Sequence, residues 1–221
     1  MKLNNKIFNG IKACIFDLDG TLVDSLYVWN DVDVKFFKMH NMPVPENYVK
    51  EIAHMSFMEM AIFTHDKYGF KETPEEIAKI WMDMVEYEYA NEIVLRPHVE
   101  EVLKLLKENN IKIALATTNK KELYEPCLKH NNIEGYFDIA LNVNDYGTSK
   151  RESKIYEMIA DKFGVKKSET IVFEDILMAI KTAKEAGFKV IGIEETSSLK
   201  DKEKILQYVD LYINDFKLLM E

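Results

Sequence analysis

Apolar positions in this chain follow two rhythms. The first appears at Ile11-Lys12-Ala13-Cys14-Ile15-Phe16, an apolar run that stops abruptly at Asp17-Leu18-Asp19-Gly20-Thr21-Leu22-Val23-Asp24. A short apolar run bounded by a glycine turn predicts a buried strand, most simply the centre of a parallel sheet. From Asn30 to Ala90 the rhythm changes. Gly69 is the only glycine there, and Met, Phe, Tyr and acidic residues recur at helical spacing. Helices are predicted over 24–40, 46–54, 56–68 and 74–90. Breaks fall at Asn41-Met42-Pro43-Val44-Pro45 and at Thr73-Pro74-Glu75-Glu76, the latter a capped helix start with proline at its first position.

From Leu95 onward strands and helices alternate. Pro97 opens a helix whose stripe is Val99, Val102, Leu103 and Leu106. Strands are predicted at 111–116, 139–141, 170–173, 189–193 and 210–213. Helices are predicted near 119–131 and 152–163, and Ile176, Ile180, Ala183 and Gly187 form the stripe of another. Such alternation means βαβ units with right-handed crossovers. The predicted fold is therefore α/β, a doubly wound, mainly parallel Rossmann-like sheet. Its core domain comprises 1–23 and 93–221, and an all-helical domain spans 24–92.

Composition narrows the picture. A chain of 221 residues, 47% hydrophobic and 30% charged, has room for one large domain or one with a smaller insert. No window approaches the roughly 18 apolar residues of a membrane span. The segment Met1-Lys2-Leu3-Asn4-Asn5-Lys6 lacks the apolar core of a signal peptide, so cytoplasmic residence is expected. Two cysteines, Cys14 in the first strand and Cys127 on a helix, suggest no disulfide framework. A net charge of −9 argues against general nucleic-acid or membrane-surface binding. An anionic ligand would need cations supplied locally, a metal among them.

The polar residues with chemical potential cluster at strand ends. Asp17 and Asp19, two apart on an extended chain, share a face and can reach one ligand. One could act as nucleophile while the other handles protons. A calcium loop of the EF-hand type would want its glycine at position 6, whereas Gly20 is fourth from Asp17. Thr117, Thr118 and Asn119 follow the second strand, Lys150 follows Tyr146-Gly147-Thr148-Ser149, and Glu174-Asp175 follow the strand at 170–173. In a doubly wound sheet these ends converge on one crevice. Carboxylates crowded there would repel one another, which points to a hard divalent cation such as Mg²⁺. Hydroxyl, backbone amide and lysine groups suit phosphoryl oxygens.

This ordered set resembles the haloacid dehalogenase superfamily of phosphotransferases over nearly the whole chain. Asp17 to Thr21 matches the first family motif, Ala114-Leu115-Ala116-Thr117 the second, Lys150 the third and Glu174-Asp175 the fourth. The helical insert resembles a C1-type cap, and the most similar subgroup contains phosphoglycolate phosphatase and β-phosphoglucomutase. The resemblance implies roles. Asp17 is the nucleophile that forms an aspartyl phosphate, and Asp19 protonates the leaving oxygen and then activates water. Thr117 and Lys150 bind phosphoryl oxygens, with Thr118 and Asn119 beside them. Asp17, the Asp19 carbonyl, Asp175 and, directly or through water, Glu174 surround Mg²⁺. The chain departs from the family at Lys150-Arg151-Glu152-Ser153-Lys154, which lacks the usual prolines and offers Lys154 as a second lysine. It departs again at Ile176, where relatives often carry serine.

The implied reaction is Mg²⁺-dependent hydrolysis of a small phosphate monoester, the partner being a small phosphorylated metabolite. A sugar-phosphate mutase is the alternative, and a non-catalytic phosphate-ligand-binding protein a third reading. A mutase must hold a second phosphate with a cation on its cap. The β-phosphoglucomutases place an arginine after a cap turn, where this chain reads His54-Met55-Ser56-Phe57-Met58-Glu59. The expectation is therefore a hydrolase, with His54 and Ser56 as candidate substrate-selecting residues. The other reading of that segment is a Met/Phe stripe serving the core of the cap.

Overall fold

Six parallel strands form one sheet: β1 (Ala13–Phe16), β2 (Lys112–Thr117), β3 (Ile139–Asn142), β4 (Thr170–Glu174), β5 (Lys189–Ile193) and β6 (Leu211–Ile213). Their order is β3-β2-β1-β4-β5-β6, so the winding reverses at β1. In register, Phe16 lies opposite Leu115 on one side and Phe173 on the other. The computed structural model describes residues 1–221. Its helices are α1 (Asn5–Phe8), α2 (Val28–Met39), α3 (Tyr48–Ile52), α4 (Phe57–Tyr68), α5 (Pro74–Asn91), α6 (Val99–Glu108), α7 (Lys121–His130), α8 (Lys154–Phe163), α9 (Leu177–Glu185) and α10 (Lys202–Ile205). None is long and apolar enough to cross a membrane.

Two compact units emerge: 1–25 with 93–221, and 26–92. In the first, consecutive side chains of β1 point to opposite faces, and both faces are covered. Ile15 and Val172 pack with Tyr156 and Ile159 of α8 and Ile180 of α9. On the other face Phe16 stacks on Phe173 at 4.2 Å, and Phe173 on Phe216 at 6.1 Å. The predicted stripe of α6, Val99, Val102, Leu103 and Leu106, is fully buried. Cys14 and Cys127 are free and buried, and burial pushes the Cys127 thiol up to about 12.

The second unit holds α2 to α5 around an aromatic core. Phe37 meets Tyr48 edge-on at 4.9 Å, and Phe36 meets Trp81 at 5.5 Å. Both α4 and α5 open with reciprocal capping boxes, Ser56 with Glu59 and Thr73 with Glu76. Lys35 and the Tyr27 hydroxyl satisfy the buried Glu88 carboxylate. A largely apolar cavity of about 160 Å³ is lined by Trp29, Val32, Tyr48, Ile52, Phe57, Met60 and Trp81, with the Asp33 carboxyl at its wall.

Boundaries differ from the sequence expectation in instructive places. The helix expected from residue 24 starts at Val28, after a turn at 26–27, because the chain at 23–24 is tied to other segments. Asp19 bridges Val23, Val23 bridges Leu95, and the Asp24 N–H donates to Val94 O. The strand at 11–16 is ordered as such only from Ala13, and the helix at 46–54 shortens to α3. Helix α7 tolerates Pro126 inside it, at the expense of one backbone hydrogen bond. The short helices α1 and α10 carry no periodicity that predicts them.

Candidate active site

Asp17 is the first residue beyond β1, and its N–H still donates to Phe173 O at 3.1 Å. It therefore stands at the carboxyl ends of the strands, where the order reverses and open α/β sheets bind ligands. Glu174 closes β4 and Asp175 follows it, both 1% exposed. Ligand oxygens of Asp17, Glu174 and Asp175 all lie within 4.8 Å of one another. Lys150, 7% exposed, reaches into this group. Its ammonium donates to Asp17 Oδ1 and, at 2.6 Å, contacts Glu174 Oε1, which also accepts from the Tyr156 hydroxyl at 3.2 Å.

One ammonium faces three buried carboxylates. Burial, then the charge of Asp17, raises the Asp175 pKa; burial also raises that of Glu174, which Lys150 partly opposes. Burial works against the charge on Lys150 too, but Asp17 and Glu174 outweigh it and raise its pKa. Glu174 Oε2 and Asp175 Oδ1 are buried with no hydrogen-bond partner. Orphaned buried carboxylate oxygens are costly unless a cation satisfies them. An all-oxygen donor set of this kind fits a hard divalent cation.

Asp19 stands apart from the cluster. Its Oδ1 accepts from Ser25 Oγ and its Oδ2 from Asn119 Nδ2, each at 2.6 Å. The Asn119 amide, expected beside a phosphoryl group, is thus directed at Asp19, because the turn after β2 folds its backbone N–H onto Thr117 Oγ1 at 3.0 Å. Thr117 is fully buried at the end of β2, next to β1. Thr118 is exposed, and its carbonyl accepts from Asn144 Nδ2. Lys154 is exposed at the start of α8, which leaves Lys150 as the lysine of the site. In the second unit His54 is exposed, and the Ser56 hydroxyl is taken up by the N-cap of α4.

Glycine at position 20 is required by its surroundings. Its φ is +73°, and a Cβ there would sit 2.8 Å from Asp175 Oδ2. Four residues around the site were invisible in the sequence: Ser25, which holds Asp19, Tyr156, which holds Glu174, Arg96, which donates to Gly20 O, and Glu195, which abuts Gly20. None belongs to a recognisable spacing; each is brought in by tertiary contacts. Arg96 is one of only two arginines in the chain, the single signal in the sequence that singles it out.

A family model described as haloacid dehalogenase-like hydrolase matches residues 14–193. A phosphorylated carbohydrates phosphatase from Thermotoga maritima is 24% identical over 198 residues, covering 89% of this chain and 91% of that protein. A Thermotoga maritima crystal structure, provisionally assigned as a β-phosphoglucomutase, superposes with a TM-score of 0.83 at 23% identity, covering 95% of this chain and 97% of that one. A β-phosphoglucomutase structure from Clostridium difficile gives a TM-score of 0.65 at 23% identity, covering 95% and 93%.

Proposed function

This chain belongs to the haloacid dehalogenase-like hydrolases, and from that membership we propose that it is a Mg²⁺-dependent phosphatase of small phosphate monoesters. The reading is carried by one observation: three buried carboxylates with two orphaned oxygens, faced by a single lysine that cannot balance them, where the winding of the sheet reverses. The phosphatase named among its relatives points the same way.

In this reading Asp17 attacks the phosphorus, forming an aspartyl phosphate as the P–O bond to the leaving alcohol breaks. Asp19 gives that oxygen its proton, then takes one from the water that hydrolyses the aspartyl phosphate. Ser25 and Asn119 grip both Asp19 oxygens and so aim the carboxyl for these transfers. Lys150 holds Asp17 in place and offers positive charge to the phosphoryl oxygens, with Thr117 as a further donor. Asp17, Asp175 and the Asp19 carbonyl would hold Mg²⁺, with Glu174 in support. The bound cation would neutralise charge gathering on the phosphoryl oxygens.

Residues 24–92 would act as the cap that controls access and substrate choice. A mutase reading is weaker, because the segment 54–59, where β-phosphoglucomutases place an arginine, has none; Lys50, Lys67, which pairs with Glu51, and His54 are the groups left to hold a second phosphate.

The test is release of phosphate from p-nitrophenyl phosphate and from a broad panel of phosphate esters, with and without Mg²⁺. Asp17→Asn should abolish turnover while leaving the fold intact. Wild-type-like hydrolysis by that variant would rule out covalent catalysis. Failure of the whole panel, in the presence of Mg²⁺, would overturn the enzyme reading.

A further inference from the structure

Arg96 belongs to none of the motifs, yet it is tied to the catalytic loop more closely than a surface residue would be. It lies in the segment between α5 and α6, and its side chain is 15% exposed. Nη1 donates to Gly20 O at 3.0 Å and to Glu195 Oε2 at 2.5 Å, and Nη2 donates to Glu194 O at 2.6 Å. Its own backbone N–H donates to Leu22 O at 2.9 Å. Glu195 is also nearly buried, and its second oxygen accepts from the Thr196 N–H at 2.7 Å. One guanidinium therefore joins the loop after β1 to the loop after β5.

The point of attachment matters. Gly20 follows Asp19 directly, and its α-carbon faces Asp175 so closely that no Cβ fits between them. The Glu195 side chain abuts the same glycine, its Cγ 3.3 Å from that hypothetical Cβ. If the Gly20 carbonyl is released, the Gly20–Thr21 peptide loses its side-chain anchor, and the turn that carries Asp19 past Asp175 is then held by backbone bonds such as Gly20 N–H to Val23 O. A lysine cannot reproduce this fork, because the acceptors are divided between Nη1 and Nη2 and an ammonium has only one nitrogen to present.

We propose that Arg96 is a positioning residue, which clamps the Gly20 carbonyl and thereby holds Asp19 and the Asp17–Glu174–Asp175 cluster in the geometry that binds Mg²⁺ and transfers phosphate. The proposal rests on the phosphatase reading for its catalytic consequence, and on the carboxylate cluster alone for its metal consequence. Partners that orient metal ligands from behind typically change metal affinity or activity by about 10–100-fold when removed.

The experiment compares wild type with Arg96→Lys and Arg96→Ala. Mg²⁺ binding is measured by calorimetry without substrate, and p-nitrophenyl phosphate kinetics with Mg²⁺ saturating. Circular dichroism and melting curves establish that each variant is folded. The expected result is Mg²⁺ binding weakened about 10–100-fold in both variants, with kcat lowered and KM for p-nitrophenyl phosphate little changed. Added methylguanidinium should restore part of the Mg²⁺ affinity and kcat to Arg96→Ala and none to Arg96→Lys, whose side chain fills the space. Should Arg96→Ala not fold, Arg96→Lys carries the test. Folded variants with wild-type Mg²⁺ affinity and kcat overturn the proposal, even if they melt at lower temperature. A wild type that binds Mg²⁺ but cleaves no ester overturns the phosphatase reading and leaves the binding arm decisive. A wild type that binds no Mg²⁺ overturns both.

Discussion

At Gly20 two constraints meet that are usually separate, a left-handed backbone and a neighbour that leaves no room for a side chain. The first would cost an alanine about 1–2 kcal/mol. The second would push the loop away from Asp175, and misplacement of reacting groups by about 1 Å can cost a hundredfold in rate. Gly69 has a similar φ of +64° at the end of α4 but nothing within 4 Å of a Cβ. Gly69→Ala should therefore lower the melting temperature through strain alone and leave kcat near wild type. Gly20→Ala should lower both, with kcat down roughly a hundredfold. Equal kcat values for the two would show that proximity to Asp175 has no bearing on catalysis. The same contrast explains which residues could be read from the sequence. Asp17, Glu174 and Asp175 sit at the ends of apolar runs, so local pattern places them together, whereas Lys150 lies in a polar turn eight residues beyond β3 and was found by its order among the motifs. The target of Asn119 depends on a residue 100 positions away, and spacing along the chain carries no information about which oxygen its amide will find.

Helix ends show what the departures from family pattern do. Ile176 occupies the N-cap of α9 with the extended backbone a cap requires, φ −96° and ψ 124°, yet it offers no acceptor and is half exposed. Serine there would satisfy an orphan N–H, so Ile176→Ser should raise unfolding stability by about 1 kcal/mol. Urea denaturation would read it as a higher midpoint at unchanged slope. In α4 the situation is reversed. The Ser56 hydroxyl accepts from the Glu59 N–H, while Glu59 returns a bond to the Ser56 N–H at 2.7 Å. Ser56→Ala should lose about 1 kcal/mol and leave the ranking of phosphate esters unchanged. A changed ranking would instead place that hydroxyl on substrate. Elements were legible where an apolar stripe or a cap was local, as in α5 and α6. They were misjudged at 24–27, where helical composition yields to the bridges that Val23 makes with Asp19 and Leu95.

The molecule as a whole joins a stable α/β sheet to a cluster of charges that oppose folding. The raised pKa values of Glu174 and Asp175 mean that, without a cation, the folded chain binds protons more tightly than the unfolded chain. For groups shifted upward, stability is fully present below the ordinary carboxylate range and is lost as pH rises through the raised folded values, toward and past neutrality. Mg²⁺ would replace those protons, so its binding should tighten over the same interval, as its ligands ionise. Two melting series therefore should diverge. In EDTA the melting temperature should fall as pH is raised through neutrality. With Mg²⁺ fixed at about a hundred times its Kd at neutral pH, the fold should gain about 2.7 kcal/mol there, and at that constant concentration the gap between the two curves should widen with pH. Asp17→Asn removes one of the three repelling carboxylates, so its melting temperature in EDTA should fall less steeply and its gain from Mg²⁺ should be smaller. Parallel curves for wild type, with the same Mg²⁺ effect at every pH, would mean that these carboxylates do not couple cation binding to the fold.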